Sequence, residues 1–115
     1  MIDLLTAQDR AQLLQNGART AAGEDDDLPP VVKLFTPDGA ATWLLTELDP
    51  NDPDLAFGLC DPGLGSPEMG HVRLSEIIDV VGQLGLAVER DASFKPERLL
   101  SEYARLALAE GRIVP

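Results

Sequence analysis

The chain has 115 residues, of which 44% are hydrophobic and 25% are charged, and this is the size and balance of one globular domain. Its net charge of −11 at pH 7 disfavours contact with nucleic acid or with an anionic membrane surface. A single cysteine excludes an internal disulfide. The sequence has no apolar run near the ~18 residues of a membrane span and no basic region of a secretory signal, so we expect a cytoplasmic protein.

The first predicted element is a helix over residues 6–16, with Thr6 as its N-cap and Gly17 at its end. An acidic linker, TAAGEDDDLPP, follows at residues 20–30, because four consecutive acids repel one another and two prolines end any helix. One domain is expected, with three parts: an N-terminal helix at 1–19, the linker at 20–30 and a core at 31–115.

Three strands are predicted next. Residues 31–35 and 41–48 are rich in β-branched and apolar residues and flank a Thr-Pro-Asp-Gly turn, so we expect them to form a hairpin. Residues 55–61 follow a short polar loop and complete an antiparallel meander.

Strict alternation along the second strand assigns its side chains to two faces. Trp43, Leu45 and Glu47 share one face. The opposite face then carries Thr42, Leu44, Thr46 and Leu48. Because both faces hold large apolar groups, we expect a central strand that is covered on both sides.

The last part of the chain predicts short strands at residues 71–74 and 86–90, with a serine-capped helix over residues 75–84 between them. A final helix has Pro96 in its first turn and ends at Gly111. This order predicts an α+β fold, in which an antiparallel three-stranded meander is extended by one or two short strands and packed against two or three helices.

Residues 56–70, AFGLCDPGLGSPEMG, combine four glycines, two prolines and the only cysteine, and the only histidine follows at once. Glycines at this density shape a loop, and such a loop suits a cysteine nucleophile with its histidine base, or a divalent metal held by carboxylates and histidine. The residues of this loop site are Glu47, Cys60, Asp61, Glu68 and His71. The same residues fit an ordinary turn beside a core cysteine, so we assign no catalytic residue, no metal ligand and no cofactor.

The negative charge is concentrated in the middle of the chain. Residues 24–79 hold thirteen acidic and two basic residues, whereas acids and bases balance elsewhere. Such a field attracts a basic protein and competes with DNA for a basic groove, although acids at a surface also serve solubility alone. The predicted partner-binding residues are Glu24, Asp25, Asp26, Asp27, Asp38, Asp49, Asp52 and Asp54.

The strings VVKLFTPDGAATWLLTELDP and AFGLCDPGLGSPEMGHVRLSEI resemble a family of small bacterial proteins of unknown function that are carried on plasmids, integrative elements and phage-like islands. The similarity covers residues 28–90. The family has no established activity or catalytic residues to carry over. What the resemblance implies is a bacterial host and an accessory role on a mobile element, where neighbouring genes encode antirestriction, partition or transfer functions. That association does not fix a function.

We therefore expect a non-enzymatic accessory protein that binds a basic protein partner. In its sharpest form it is a DNA mimic that inhibits a nucleic-acid-binding defence protein, of the anti-CRISPR or antirestriction type. The alternative is a small hydrolase, or a metal- or ligand-binding domain, that uses the loop site. Direct contact with nucleic acid or with a membrane is not expected, and the sequence leaves the oligomeric state open.

Overall fold

The computed structural model of the protein describes residues 4–24 and 26–115. Within these ranges the elements in chain order are α1 (Ala7–Ala21), β1 (Val32–Phe35), β2 (Thr42–Asp49), β3 (Asp52–Asp61), β4 (Glu68–Arg73), α2 (Leu74–Ile78), β5 (Glu89–Arg90) and α3 (Leu100–Glu110). The strands form one antiparallel sheet in the order β4-β3-β2-β1-β5, so the predicted meander gains one strand on each side. The α+β prediction is confirmed.

Helices cover both faces of this sheet. On one face, α1 and α2 pack over an apolar cluster that includes Leu13, Trp43 and Ile77. On the other face, α3 packs over a cluster that includes Leu44 and Tyr103. Since β2 contributes to both clusters, it is the two-sided central strand that its sequence predicts, and burial of the two clusters holds the helices on the sheet.

A β-bulge interrupts the pairing of β2 with β3. The pairing is regular up to Leu45, which lies opposite Gly58, and it resumes with Glu47 opposite Phe57. Thr46 is therefore an extra residue on β2, and an extra residue reverses the alternation of the side chains that follow it.

The reversal corrects the predicted faces of β2. Leu48 is fully buried in the same cluster as Trp43, not on the face opposite to it. Glu47 lies directly across from Phe57, whose side chain packs on the α3 side of the sheet. The prediction that Glu47 shares a face with Trp43 is wrong, because strict alternation holds only up to the bulge.

α1 begins at the predicted N-cap and ends later than predicted. The Thr6 hydroxyl accepts from the Asp9 N–H at 3.0 Å, and the Asp9 carboxylate accepts from the Thr6 N–H at 3.2 Å, which completes a capping box. The helix passes through Gly17 and continues to Ala21. A Cβ at residue 17 would lie 1.8 Å from the carbonyl oxygen of Leu48, so this glycine lets the helix lie directly on β2.

Two polar contacts fix the position of α1 on the sheet. Asp9 is buried and accepts from two guanidinium nitrogens of Arg90 at 2.5 and 3.2 Å. Burial opposes ionisation of Asp9, but hydrogen bonds from Arg90 and from Thr6 outweigh it, and the pKa of Asp9 is lowered. Further along the helix, the buried Asn16 donates from Nδ2 to the carbonyl oxygen of Thr46 at 2.9 Å.

The element lengths after β3 differ from the prediction. α2 spans only Leu74–Ile78, and Ser75 does not cap it. The N–H and the hydroxyl of Ser75 instead donate to the carboxylate of Asp54 at 3.0 and 2.7 Å. β4 is longer than predicted, because it begins at Glu68.

α3 also starts later than predicted. Pro96 lies in the loop before the helix, whose first residue is Leu100. The end of α3 is confirmed at Gly111, which adopts a left-handed conformation with φ of 73°.

Candidate functional site: an acidic cleft beside the edge strand

A cleft of about 500 Å³ opens on the α3 side of the sheet. Its floor is a row of side chains that are directly opposite one another on three neighbouring strands, namely Glu47 of β2, Phe57 of β3 and His71 of β4. Further lining comes from the end of α1, the linker, the bulge, β4 and the start of α3, through Thr20, Asp26, Asp27, Leu28, Thr46, Met69, Leu100 and Ser101. A smaller pocket of about 130 Å³ shares the floor residues and extends the cleft towards α1.

The bulge brings Glu47 into this row. On the bulged residue Thr46, the hydroxyl donates to the carbonyl oxygen of Phe57 at 3.3 Å, while the carbonyl accepts from Asn16. Both bonds hold the extra residue in place, and α1 thereby fixes the direction in which Glu47 points. Glu47 makes no hydrogen bond or ion pair with another described residue, so its carboxylate is available to a ligand.

Phe57 and His71 give the floor an aromatic surface. Their ring centroids lie 5.0 Å apart at an interplanar angle of 62°, an edge-to-face arrangement. His71 is exposed, whereas Phe57 is partly buried. The ring face of Phe57, beside the Glu47 carboxylate, attracts cations, and the group that this arrangement suits is an ammonium or a guanidinium.

The linker carboxylates are held in fixed positions at the wall of the cleft. Arg19 of α1 forms an ion pair with Asp26 and another with Glu24 at 3.4 Å. Asp27 accepts from the N–H of Ser101 at 3.2 Å and also from its hydroxyl. The ion pairs of Arg19 therefore join the linker to α1, and the hydrogen bonds of Asp27 join it to the first turn of α3. The predicted binding residue Asp25 lies outside the described residues.

The remaining predicted partner-binding acids do not line the larger cleft, although Asp49 lines the smaller pocket that extends it. Asp52 and Asp54 flank Arg73, with nitrogen–oxygen distances of 3.0 and 3.7 Å. Hydrogen bonds from Ser75 and the charge of Arg73 lower the pKa of Asp54. Asp49 accepts from the N–H two residues ahead at 2.8 Å and closes the turn between β2 and β3.

Asp38 fastens a distant turn to the β1–β2 hairpin. Its Oδ2 accepts from the N–H groups of Leu84 and Leu86 at 2.6 and 3.3 Å. Its Oδ1 is buried and has no hydrogen-bond partner among the described residues. A Cβ at Gly82 would lie 1.7 Å from that oxygen, so the glycine gives the carboxylate its space. The described acidic residues of the predicted set therefore make local contacts at the linker, at the β2–β3 turn, beside Arg73 and at the turn of Gly82.

The structure separates most of the loop-site residues from His71. Cys60 packs on the α1 side of the sheet, opposite to the side that carries His71, and burial raises the pKa of its thiol to about 11. Asp61 is buried and accepts from the N–H groups of Gly63 and Leu64 at 2.9 and 3.1 Å, which shapes the turn after β3.

Of the loop-site residues, only Glu47 and His71 meet in the cleft. Glu68 is exposed and lies opposite Cys60, on the other face of β4. Among residues 4–24 and 26–115, no three histidine, cysteine or acidic side chains are arranged to hold a metal ion.

Three residues that build the cleft are not singled out by the sequence. Phe57 sits in an apolar run typical of any buried strand, and nothing in the string TELD marks Thr46 as a bulge. Asn16 is one of several polar residues in α1. The only feature that marks Asn16 is its position next to Gly17. At this point α1 approaches β2 closely, with a small residue at 17 and a hydrogen-bond donor to the strand at 16.

Comparison with known proteins identifies a family and no activity. No curated protein and no solved structure matches the chain. Within the part of the chain that the structure describes, no helix has the length and apolar character needed to cross a membrane. Residues 4–114 match the family described as protein of unknown function (DUF2958), which confirms the resemblance to an uncharacterised family. Since the match covers almost the whole chain, this protein belongs to the DUF2958 family.

Proposed function

We propose that the protein is a non-enzymatic binding module for a basic protein, and that its acidic cleft anchors a lysine or arginine side chain of that partner. The observation that carries the proposal is the position of Glu47. The bulge turns this unpaired carboxylate onto an aromatic floor, beside the linker carboxylates of Asp26 and Asp27. A cation in the cleft would meet the ring of Phe57 and these carboxylates together.

The charge of the whole chain supports a basic partner. A net charge of −11 attracts a cationic protein from a distance and raises the rate of encounter. Because exposed charges are screened over about 8–10 Å at physiological salt, the affinity should fall steeply as salt is added. A hydrogen-bonded ion pair in the cleft contributes about 1.5–3 kcal/mol.

In the sharper form of the proposal, the partner is a nucleic-acid-binding defence protein of the bacterial cytoplasm, and the chain is the accessory product of a mobile element. The support for this form is the segregation of acids into the middle of the sequence, together with the mobile-element context that the resemblance implies. An acidic surface that occupies a basic groove excludes DNA from it. Neutralising Asp25, Asp26 and Asp27 together is then expected to abolish inhibition.

The test is capture of partners from a bacterial lysate on the immobilised protein, followed by elution with increasing salt. Glu47→Gln is compared with Glu110→Gln, which removes the same charge from the exposed end of α3. We expect a basic protein that elutes at moderate salt, that Glu47→Gln fails to retain, and that Glu110→Gln retains. Equal retention by both variants, or retention that salt does not affect, would contradict the proposal.

A further inference from the structure

We propose that the basic partner enters as an extended segment that adds a strand to the free edge of β4. This inference rests on the proposed function, because it states the form in which the partner reaches the same cleft. Its basis is the edge strand and its backbone, which are independent of the carboxylates.

β4 is an edge strand without the usual protection. It is the last strand of the sheet on its side, and it pairs with β3 without a register shift from Arg73 to Glu68. Proteins block such edges with proline, lysine, bulges or very short strands. β4 has six residues, EMGHVR, without proline, lysine or a bulge, and its charged residues Glu68 and Arg73 lie at its two ends, whereas β5 at the opposite edge has two residues.

The ladder shows which backbone groups of β4 are unpaired. In an antiparallel sheet, the N–H and C=O of one residue face one neighbouring strand, and those of the next residue face the other. The carbonyl of Phe57 accepts from the hydroxyl of Thr46, so the backbone of Phe57 faces β2. His71 lies directly opposite Phe57, and its N–H and C=O therefore face away from β3.

The same alternation turns the backbone of Met69 outward, together with that of His71. Among the described residues, no backbone hydrogen bond from a loop or another element reaches either of them. Their side chains line the cleft. The free backbone groups and the cleft therefore belong to the same two residues of β4.

A strand paired with these groups would place its side chains over the cleft. Residues directly opposite one another on neighbouring strands project from the same face of a sheet. A residue opposite His71 therefore continues the row of Glu47, Phe57 and His71 by one more strand, at a spacing of about 4.8 Å. A lysine or arginine at that place lies along the rings of the floor and points towards Glu47.

Charge favours a basic segment over a second copy of the chain. Pairing two β4 edges would bring together two chains that each carry a net charge of −11, and their clefts with them. An extended basic segment gains the same backbone hydrogen bonds and also neutralises the carboxylates.

The test measures amide hydrogen exchange in the ¹⁵N-labelled full chain, with and without a capped heptapeptide of alternating arginine and valine. The amides of Met69 and His71 are expected to exchange fast in the free protein and at least ~10-fold more slowly with the peptide. Gly70 and Val72, whose backbone groups face β3, should be slow in both states. A peptide with glutamate in place of arginine is the matched control and should leave all four amides unchanged.

The outcomes separate this inference from the function on which it rests. Salt-sensitive peptide binding with fast exchange at Met69 and His71 overturns strand addition but leaves the proposed function standing. If the arginine peptide shows no salt-sensitive binding, and Glu47→Gln behaves as the unmodified protein does in lysate capture, the proposed function itself fails. Slow exchange of both amides in the free protein, with sedimentation as a dimer, shows that a second copy holds the edge and also overturns the inference.

Two further changes test the backbone pairing directly. Met69→Pro removes an outward N–H without breaking the ladder to β3, and it should weaken peptide binding at least ~10-fold while the circular dichroism spectrum is unchanged. N-methylation of alternate amides of the peptide tests the same bonds without any change to the protein. Methylation of the amides that face β4 should abolish binding, and methylation of the other alternate set should not. Binding that is retained whichever set is methylated overturns strand addition.

Discussion

Replacing Gly17 with alanine should lower the stability of the protein, although helix propensity alone predicts that it raises the stability. Alanine in the middle of a helix is more favourable than glycine by about 1 kcal/mol, so the substitution would stabilise an isolated helix. In the folded protein, the new Cβ would lie 1.8 Å from the carbonyl oxygen and 2.9 Å from the carbonyl carbon of Leu48. Both atoms belong to the backbone of a central strand, so α1 must move away from β2.

The size of the effect follows from this movement. Real Cβ atoms do not approach a neighbour closer than 3.0 Å, so the helix must shift by about 1 Å or more at this point. The shift also stretches the 2.9 Å hydrogen bond from Asn16 to Thr46. Overpacking costs about 1–3 kcal/mol and loss of a buried hydrogen bond a similar amount, which after the propensity gain of about 1 kcal/mol leaves a loss of about 1–5 kcal/mol.

The assay is urea unfolding followed by the fluorescence of Trp43, the only tryptophan, which is buried in the native state. Ala18→Gly on the exposed side of the same helix is the propensity control and should lose about 1 kcal/mol. Gly70→Ala, where a Cβ meets open space, should change the free energy of unfolding by less than about 1 kcal/mol. If Gly17→Ala proves as stable as the unmodified protein, or more stable, the close approach of α1 to β2 is refuted.

Three other predictions concern single contacts. Asn16→Ala should lower the free energy of unfolding by about 1–3 kcal/mol in urea, since it leaves the buried carbonyl of Thr46 without its donor, and an unchanged midpoint would contradict this role. Because the pKa of Asp9 is lowered in the folded state, its ion pair with Arg90 stabilises the protein above the unfolded pKa of about 4, and that contribution is lost as the pH falls through the folded pKa. Arg90→Met should therefore unfold more readily in urea at pH 7 and lose less stability between pH 7 and pH 3; an equal pH dependence in both proteins would count against the pair. Burial raises the pKa of Cys60 to about 11, so the native thiol should react with a disulfide reagent at pH 8 at least ~10-fold more slowly than in urea, and equal rates would show an accessible thiolate.

The parts of the fold that the sequence predicts well are those with local signals. β-branched runs and turn residues located β1 to β3, and Thr6 and Gly111 gave one end each of α1 and α3. The apolar residues on both faces of β2 correctly predicted a central strand that is covered on both sides. Each of these inferences needs only neighbours within a few positions along the chain.

The errors arise where a distant partner decides the local conformation. Gly17 resembles a helix end, but it lies inside α1, because the backbone of Leu48 leaves no space for a Cβ at this position. Ser75 resembles an N-cap, but Asp54 on a neighbouring strand takes its hydrogen bonds. No residue type near Thr46 announces a bulge, because the extra residue is accommodated by Asn16 from α1.

For the same reason, the sequence predicts several single residues of the candidate site but not which of them lie together. The sequence predicts Glu47 and His71 as site residues, but as neighbours of Cys60, which lies on the opposite face of the sheet. The sequence predicts Asp26 and Asp27 as partner-binding residues in an acidic linker, and their place beside Glu47 depends on how the linker meets α3. Periodicity assigns residues to faces, but it does not say which faces of separate elements meet.

The bond between the linker and α3 has a consequence for when the cleft comes into existence. Leu28 accepts from the N–H of Leu100 at 2.9 Å, and Asp27 accepts from Ser101, so contacts across more than 70 positions close this wall. As the chain leaves the ribosome, every strand of the sheet is available before α3 is. The binding site is therefore assembled last, and a chain that stops before α3 would carry the same acids without the cleft that gives them a shape.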